Sequence, residues 1–207
     1  VFGFLADPEL LDRPYRDIGD AVGVSHGTVG LVIESLRELD YLAETSKGRF
    51  LTKPDELRSR WAAGYAEVLR PKLLRGHYRF TQPADVSDRI RSLPPELGLW
   101  SGEPGADLLT NYLKPGSFTL YSDAKPADLA RTLRIVRDDE GPLELLQPFW
   151  DASWEAIHSG PHPNTVHPLL VWADLLAVGD ARSRDVAGLV LDAWRELAAS
   201  VTPAASS

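Results

Sequence analysis

Apolar residues recur at helical spacing through Val29, Val32, Ile33, Leu36 and Leu39, while His26, Thr28, Gly30, Glu34, Arg37 and Glu38 fall mostly outside that stripe. This spacing predicts an amphipathic helix over residues 25–39. Just ahead, Tyr15–Val22 is predicted to form a shorter helix with Ile18 and Val22 on one face. Gly23 suits the turn between them, since a helix commonly ends on a residue of positive φ. Ser25 is placed to cap the second helix, whose first amides lack an acceptor within the helix. Tyr41–Glu44 and Arg49–Thr52 then read as two short strands around Ser46-Lys47-Gly48. Helix, turn, helix and hairpin in that order predict a winged helix-turn-helix, a motif whose second helix enters the DNA major groove.

Pro54–Arg70 opens with a proline and two acids, as a helix start should, and carries Leu57, Trp61, Tyr65 and Val68 or Leu69 as an apolar stripe. Pro71 is expected to end it. Beyond this connector the element types mix. Tyr78–Thr81 opens a strand, Glu103–Tyr112 is helical with Gly116 as its breaker, and Ser117–Tyr121 alternates as a strand. Pro126–Leu133 is helical, and Arg134–Arg137 and Leu143–Leu146 are short strands around an acidic turn at 138–141. Ser159–Pro163 is a loop. Two helices close the chain, His167–Val178 and Arg182–Ala199, the latter with Val186, Leu189, Val190, Ala193, Trp194 and Leu197 on one side. The tail from Thr202 reads as frayed. The fold class expected is α+β: a winged helix-turn-helix with its connector over 1–71, then a mixed α/β domain over 72–207 whose sheet order the pattern leaves open.

A chain of 207 residues is long enough to bury a real core. None of its apolar runs approaches the roughly 20 residues that span a bilayer, so no membrane partner is expected. It has no cysteine, which removes disulfides, thiolate chemistry and Cys-based zinc sites, and is compatible with a cytoplasmic location. Methionine is absent even at position 1, and no signal-like segment is present. The start therefore reads as lying upstream, with Val1–Ala6 as the tail of the module's first helix.

Net charge is −8, which at first argues against nucleic acid. Its distribution changes that picture. Residues 1–46 hold 3 Lys+Arg against 9 Asp+Glu, residues 47–80 hold 9 against 3, and the remainder holds 10 against 18. The cations Lys47, Arg49, Lys53, Arg58, Arg60, Arg70, Lys72, Arg75 and Arg79 adjoin the candidate groove helix, where phosphate contacts are wanted. The plainer account of such a run is a solvated helix face.

Other candidate chemistry is weaker. Gly23-Val24-Ser25-His26-Gly27 matches the hydrolase G-x-S-x-G elbow, but that serine must follow a buried strand, and Tyr15–Val22 is helical in pattern. His158, His162 and His167, near Asp151 and Glu155, lack the i,i+4 register of a helical metal site, and solvated loop histidines explain them more simply. Glu103, Asp107, Asp123, Asp138, Asp139 and Glu144 could serve a metal-dependent nuclease or nucleotidyl transferase only by converging on a cation, which their spacing does not argue. No Walker loop or G-x-G-x-x-G occurs. No cofactor is expected, and no enzymatic activity.

Three stretches together carry a resemblance: RPYRDIGDAVGVSHGTVGLVIESLRELDYL at 13–42, LWSGEPGADLLTNYLKPGSFTLYSD at 99–123, and VHPLLVWADLLAVGDARSRDVAGLVLD at 166–192. Their order and content resemble the abortive-infection E antitoxin family of transcriptional regulators, associated with bacterial type IV toxin–antitoxin systems. The first stretch is generic to many regulators; the other two are more specific. Where the family typically shows Trp-Gly-Gly-Glu, this chain has Trp100-Ser101-Gly102-Glu103. The resemblance implies DNA binding and repression, and a region upstream of the winged module in keeping with the missing start. It leaves the chemistry of the C-terminal domain unassigned.

The expected partners are double-stranded DNA and, through the C-terminal domain, a cognate toxin or other protein. Helix 25–39 would present His26, Thr28 and Gly30 to base edges, with its cap Ser25 also among the DNA-binding residues, while Tyr15, Arg16, Lys47 and Arg49 would hold phosphates. Two other classes stay open on sequence alone: a nucleic-acid-processing enzyme targeted by the winged module, and a protein-interaction scaffold.

Overall fold

The computed structural model describes residues 1–150, 154 and 162–201. The N-terminal part comprises α1 (Phe2–Ala6), a 3-10 turn (Pro8–Asp12), α2 (Tyr15–Val22), α3 (His26–Glu38) and a hairpin of β1 (Leu42–Thr45) and β2 (Gly48–Leu51). Gly23 sits at φ 72°, where a side chain would be strained, and lets α2 turn into α3. Close by, a Cβ on Gly19 would meet the Val24 carbonyl oxygen at 2.6 Å, so the tightness of the turn also needs that glycine. Ser25 Oγ accepts the Thr28 amide at 3.1 Å, the cap the sequence predicts. Val29, Ile33 and Leu36 are buried and Val32 half-buried, but Leu39 is exposed, because α3 ends at Glu38 and the chain leaves the apolar face there. The hairpin strands pair Thr45 with Gly48 and Ala43 with Phe50. Its loop is therefore Ser46-Lys47 alone, and the first strand starts one residue later, and the second one residue earlier, than the pattern predicts.

Pro71 does not end the connector. α4 (Pro54–Gly64) passes into a π turn at Tyr65–Leu69 and then α5 (Arg70–Leu73). A proline within a regular α-helix has no amide to donate and strikes the carbonyl four residues back. The wider register just ahead of Pro71 accommodates both defects, and the helix runs on to Leu73.

The remaining elements are β3 (Leu74–Phe80), α6 (Val86–Ser92), β4 (Leu99–Ser101), α7 (Gly102–Thr110), β5 (Phe118–Tyr121), α8 (Pro126–Leu133), β6 (Ile135–Arg137), β7 (Leu143–Leu146), α9 (Pro168–Val178) and α10 (Ala181–Val201). The strands form one sheet in the order β4-β5-β7-β3-β6, in which only β5 and β7 run parallel. Strands and helices thus make a mixed α and β architecture. Every residue of β5 is buried, as suits an interior strand covered on both faces.

Several sequence expectations are corrected here. The strand predicted from Tyr78 begins at Leu74, directly after α5. α6 and β4 carry too little periodicity to be predicted: α6 buries an arginine, Arg89, and β4 is three residues long. α7 stops at Asn111, which takes the left-handed conformation (φ 51°), so Gly116 is not its breaker. On α10 the buried face is Ser183, Val186, Ala187 and Val190; Leu189 and Ala193 are exposed. The side chain of Leu197 and most of the 159–163 loop lie outside the described residues.

Helices cover both faces of the sheet. Ile90 of α6, Leu93 just after it, and Leu129 and Leu133 of α8 pack on Trp100, Phe118, Leu120, Leu143 and Leu145. The opposite face, with Leu99, Tyr121 and Leu146, packs against α9 and α10 and is continuous with the apolar cluster of α1, α3 and α4. Phe2 stacks on Trp61 at 4.8 Å and meets Trp154 and His167 edge-on, fastening α1 to the helices over the sheet.

Candidate nucleic-acid interface and buried polar centre

The first two turns of α3 are free of acids, lysines and arginines, and His26, Gly27, Thr28 and Leu31 lie open to solvent there. Charge begins at Glu34. Ser25 Oγ and Thr28 Oγ1 stand 2.9 Å apart, so the Ser25 hydroxyl is committed to the cap while the exposed Thr28 hydroxyl keeps further bonding capacity. Gly30 is covered rather than open: a Cβ on it would lie 3.7 Å from the Tyr15 ring. The Arg49 guanidinium lies over the same ring, 5.1 Å from its centroid, and donates to the Arg13 carbonyl at 2.7 Å. The Arg49 amide donates to Asp12 Oδ1 at 3.1 Å. Gly30, Tyr15 and Arg49 therefore form one stack that ties the hairpin to α2 and α3. Arg16 and Lys47 are exposed; Arg16 stands 4.0 Å from Asp20, and Lys47 makes no ion pair among the described residues.

The cation cluster at 47–80 is largely consumed by the fold. Arg58 is buried, pairs with Asp55 at 2.8 Å and lies over Trp194. Arg75 donates to the Ser122 carbonyl at 2.7 Å, and Arg79 pairs with Asp138 at 3.2 Å. With Arg49 and Arg70, five of the nine candidates bond other parts of the chain, Arg79 while still exposed. Lys47, Lys53, Arg60 and Lys72 stay exposed.

Arg70 belongs to a polar centre buried where the connector meets the sheet. Asp174 of α9 is fully buried. Its Oδ1 accepts from Tyr65 at 2.6 Å and from Arg70 Nε at 2.8 Å; its Oδ2 accepts from Ser101 at 2.5 Å and Tyr121 at 3.0 Å. The Tyr65 and Tyr121 hydroxyls also lie within bonding distance of each other, so their two protons are shared among three contacts, and Arg70 donates to Glu144 at 2.5 Å. Burial and the neighbouring Asp174 charge push both tyrosine hydroxyls well up in pKa. Burial works against the charge on Arg70, but Asp174 and Glu144 outweigh it and strengthen its hold on the proton. The π turn makes the convergence: residues five apart lie on opposite sides of an α-helix but close to one side of a π-helix, so Tyr65 and Arg70 reach one oxygen.

The carboxylates considered for metal chemistry have other partners. Glu103 accepts the Gly116 amide at 2.5 Å and the Ser117 amide at 3.3 Å; Asp107 pairs with Arg91, Asp138 with Arg79, and Asp139 with Arg137. Asp123 accepts from Gln147 and Glu144 from Arg70. His162 Nδ1 accepts the Asn164 amide, and His167 Nδ1 caps α9 by accepting the Leu169 amide at 3.1 Å. Burial, with Arg91 nearby, lowers the pKa of His162, and burial lowers that of His167 to about 4. Asp151, Glu155 and His158 lie outside the described residues. Among the described residues no group of three or more His, Asp or Glu is arranged to hold a metal ion, and no helix is long and apolar enough to cross a membrane.

Residues 50–195 match the family model described as transcriptional regulator, AbiEi antitoxin, type IV toxin–antitoxin system. The chain belongs to the AbiEi antitoxin family. No curated relative and no solved structure gives a significant match. The AbiEi match begins inside β2, so it covers the connector, the sheet and the polar centre, while α2 and α3 lie ahead of it. In this AbiEi-family chain the tetrad Trp100-Ser101-Gly102-Glu103 is a structural knot: Trp100 Nε1 donates to the Ile90 carbonyl at 3.1 Å, Ser101 holds Asp174, and Glu103 holds the loop after α7. Ser101, the residue departing from the typical Trp-Gly-Gly-Glu, is thus one of the four donors to the buried carboxylate. Sequence reasoning missed Leu31, whose signal was a leucine off the apolar stripe. It also missed Asp12 as anchor of the hairpin, a contact 37 positions away with no local signal.

Proposed function

We propose that this AbiEi-family regulator is a DNA-binding repressor in which α2, α3 and the β1–β2 hairpin act as a winged helix-turn-helix and α3 enters the major groove. The observation that carries this reading is the exposed first half of α3, free of acids, with the hairpin held beside it by the Arg49–Tyr15–Gly30 stack. His26 and Thr28 face the base edges at the leading end of the helix. Arg16 and Lys47, both exposed, take phosphates; Arg49, engaged with Arg13 and Tyr15, positions the hairpin instead. Residues 1–71 form the DNA-binding domain with its connector and 72–207 the family-specific domain, which serves a toxin or other protein partner in the cytoplasm. The carboxylates considered for metal chemistry, Glu103, Asp107, Asp123, Asp138, Asp139 and Glu144, are engaged by arginines, a glutamine and backbone amides, which favours a binding role over a catalytic one.

The test is a mobility-shift titration of the full chain across a salt series. Arg16→Ala with Lys47→Ala should weaken binding to every duplex and flatten the plot of log affinity against log salt by about 2 units, roughly 0.9 for each phosphate no longer neutralised. A double variant that binds as the parent does at every salt concentration refutes the phosphate assignment. A parent chain that shifts no duplex at low salt refutes the DNA reading itself.

A further inference from the structure

Leu31 is 75% exposed, more than any other large apolar residue among those described. It lies about 160° around the helix axis from both Val29 and Ile33, on the outward crest of α3. The surface is low on the side toward the start of the helix, while Glu34 and Ser35 stand exposed one turn further on. Gly27, one turn earlier, has only Ser25 Oγ within 4 Å of where a Cβ would be, and Gly30 beside it lies beneath Tyr15. A leucine so placed is the furthest-reaching apolar group on the side of the helix that faces away from the protein.

What α3 lacks is as informative. Guanine is usually read by bidentate Arg or Lys, and adenine by bidentate Asn or Gln. The helix contains no lysine, asparagine or glutamine, and its one arginine, Arg37, sits in the last turn held by Glu34 at 3.0 Å and Glu44 at 3.1 Å. The remaining direct signal in the major groove that an apolar side chain reads is the thymine C5-methyl group.

Resting on the DNA-binding reading above, we propose that Leu31 is the specificity-determining residue of α3 and selects thymine-bearing steps by apolar contact with the C5-methyl. The recognised half-site then carries one or two thymines at fixed positions whose methyl groups, rather than their hydrogen-bonding edges, set the affinity.

The experiment starts by selecting bound duplexes from a random pool with the full chain. Each thymine of the recovered site is then replaced by deoxyuridine, which removes the methyl and leaves base pairing intact. Demethylating the contacted thymine should weaken binding about fourfold, the value of one methyl-sized group removed from an apolar contact. Leu31→Ala, an exposed change, should leave the melting temperature as it was, weaken binding to the thymine site, and abolish the difference between thymine and deoxyuridine. Sequence-specific binding that ignores every deoxyuridine substitution, or a Leu31→Ala chain that keeps the full difference, overturns the assignment while leaving DNA binding in place. Loss of self-association in Leu31→Ala with an unchanged deoxyuridine response marks Leu31 as a protein contact and also overturns it. Failure to recover any duplex counts against DNA binding as such.

Discussion

Replacing Asp174 by alanine removes the acceptor shared by Tyr65, Arg70, Ser101 and Tyr121. The two tyrosines retain each other, and Arg70 retains Glu144, so its charge is not left alone. Ser101 Oγ loses the partner it has among the described residues. Breaking a buried ion pair by removing one member costs about 3–5 kcal/mol, and an orphaned hydroxyl adds to that without being fully additive. About 4 kcal/mol is the expected loss. Unfolding entropy near 2.1 cal/mol/K per residue gives about 0.4 kcal/mol/K for this chain, so the melting temperature should fall by about 10 °C. Asparagine at the same position keeps the shape and one acceptor oxygen but no charge; about half that loss is expected, and this variant guards against outright misfolding of the alanine one. Calorimetric melts of both, with Arg70→Met and the double variant Arg70→Met/Asp174→Asn, close a thermodynamic cycle. A coupling of at least about 1 kcal/mol is expected between the two positions. Melting of Asp174→Ala within 2 °C of the parent, a difference worth under about 1 kcal/mol here, would show that the centre contributes nothing beyond the packing around it.

The His167 ring is buried and neutral, with a pKa near 4 against 6.5 for a free histidine. The unfolded chain therefore takes up a proton at higher pH than the folded one does. The resulting stability is fully present above pH 6.5 and is lost as pH falls toward 4, by about 3 kcal/mol at the lower end. His167→Asn keeps a capping acceptor but cannot titrate, and urea titrations at stepped pH should show a shallower loss across that window; an unaltered slope refutes the assignment. Glu103→Ala strips the acceptor from the Gly116 and Ser117 amides at a cost of about 2 kcal/mol, and hydrogen exchange should accelerate in the loop after α7. Unchanged exchange at those amides would mean that Glu103 does not hold the loop.

What the sequence made legible is what neighbouring residues decide. Gly23, Ser25, Pro54 and Pro126 act within one turn of the elements they punctuate, so α2, α3, the start of α4 and α8 could be read from pattern. The parallel pairing of β5 with β7 is set by packing across the sheet and leaves no local mark. α6 was hidden by its own chemistry: Arg89 is buried only because Gln82, Asp85 and the Leu133 carbonyl satisfy its guanidinium. The same blindness applied to the cations of 47–80. Their number was plain, but whether an arginine reaches solvent or an internal carbonyl depends on distant partners such as Arg13 and Ser122. At the candidate site, the cap and the exposed residues His26 and Thr28 were readable, while the burial of Gly30 under Tyr15 was not.

The five residues of the π turn also fix a count. Five residues of this turn come round to nearly the side that four reach in an ordinary α-helix, so deleting one and restoring α-helical hydrogen bonding would leave residues 1–64 facing the sheet almost as before. Keeping all five residues but forcing them into plain α-helical geometry would instead turn residues 1–64 by about 100°, separating Tyr65 from Arg70 at the shared carboxylate and pulling α1 from its seat against Trp154 and His167. The wide turn thus swallows one surplus amino acid and so preserves the direction in which α3 points, viewed from the sheet.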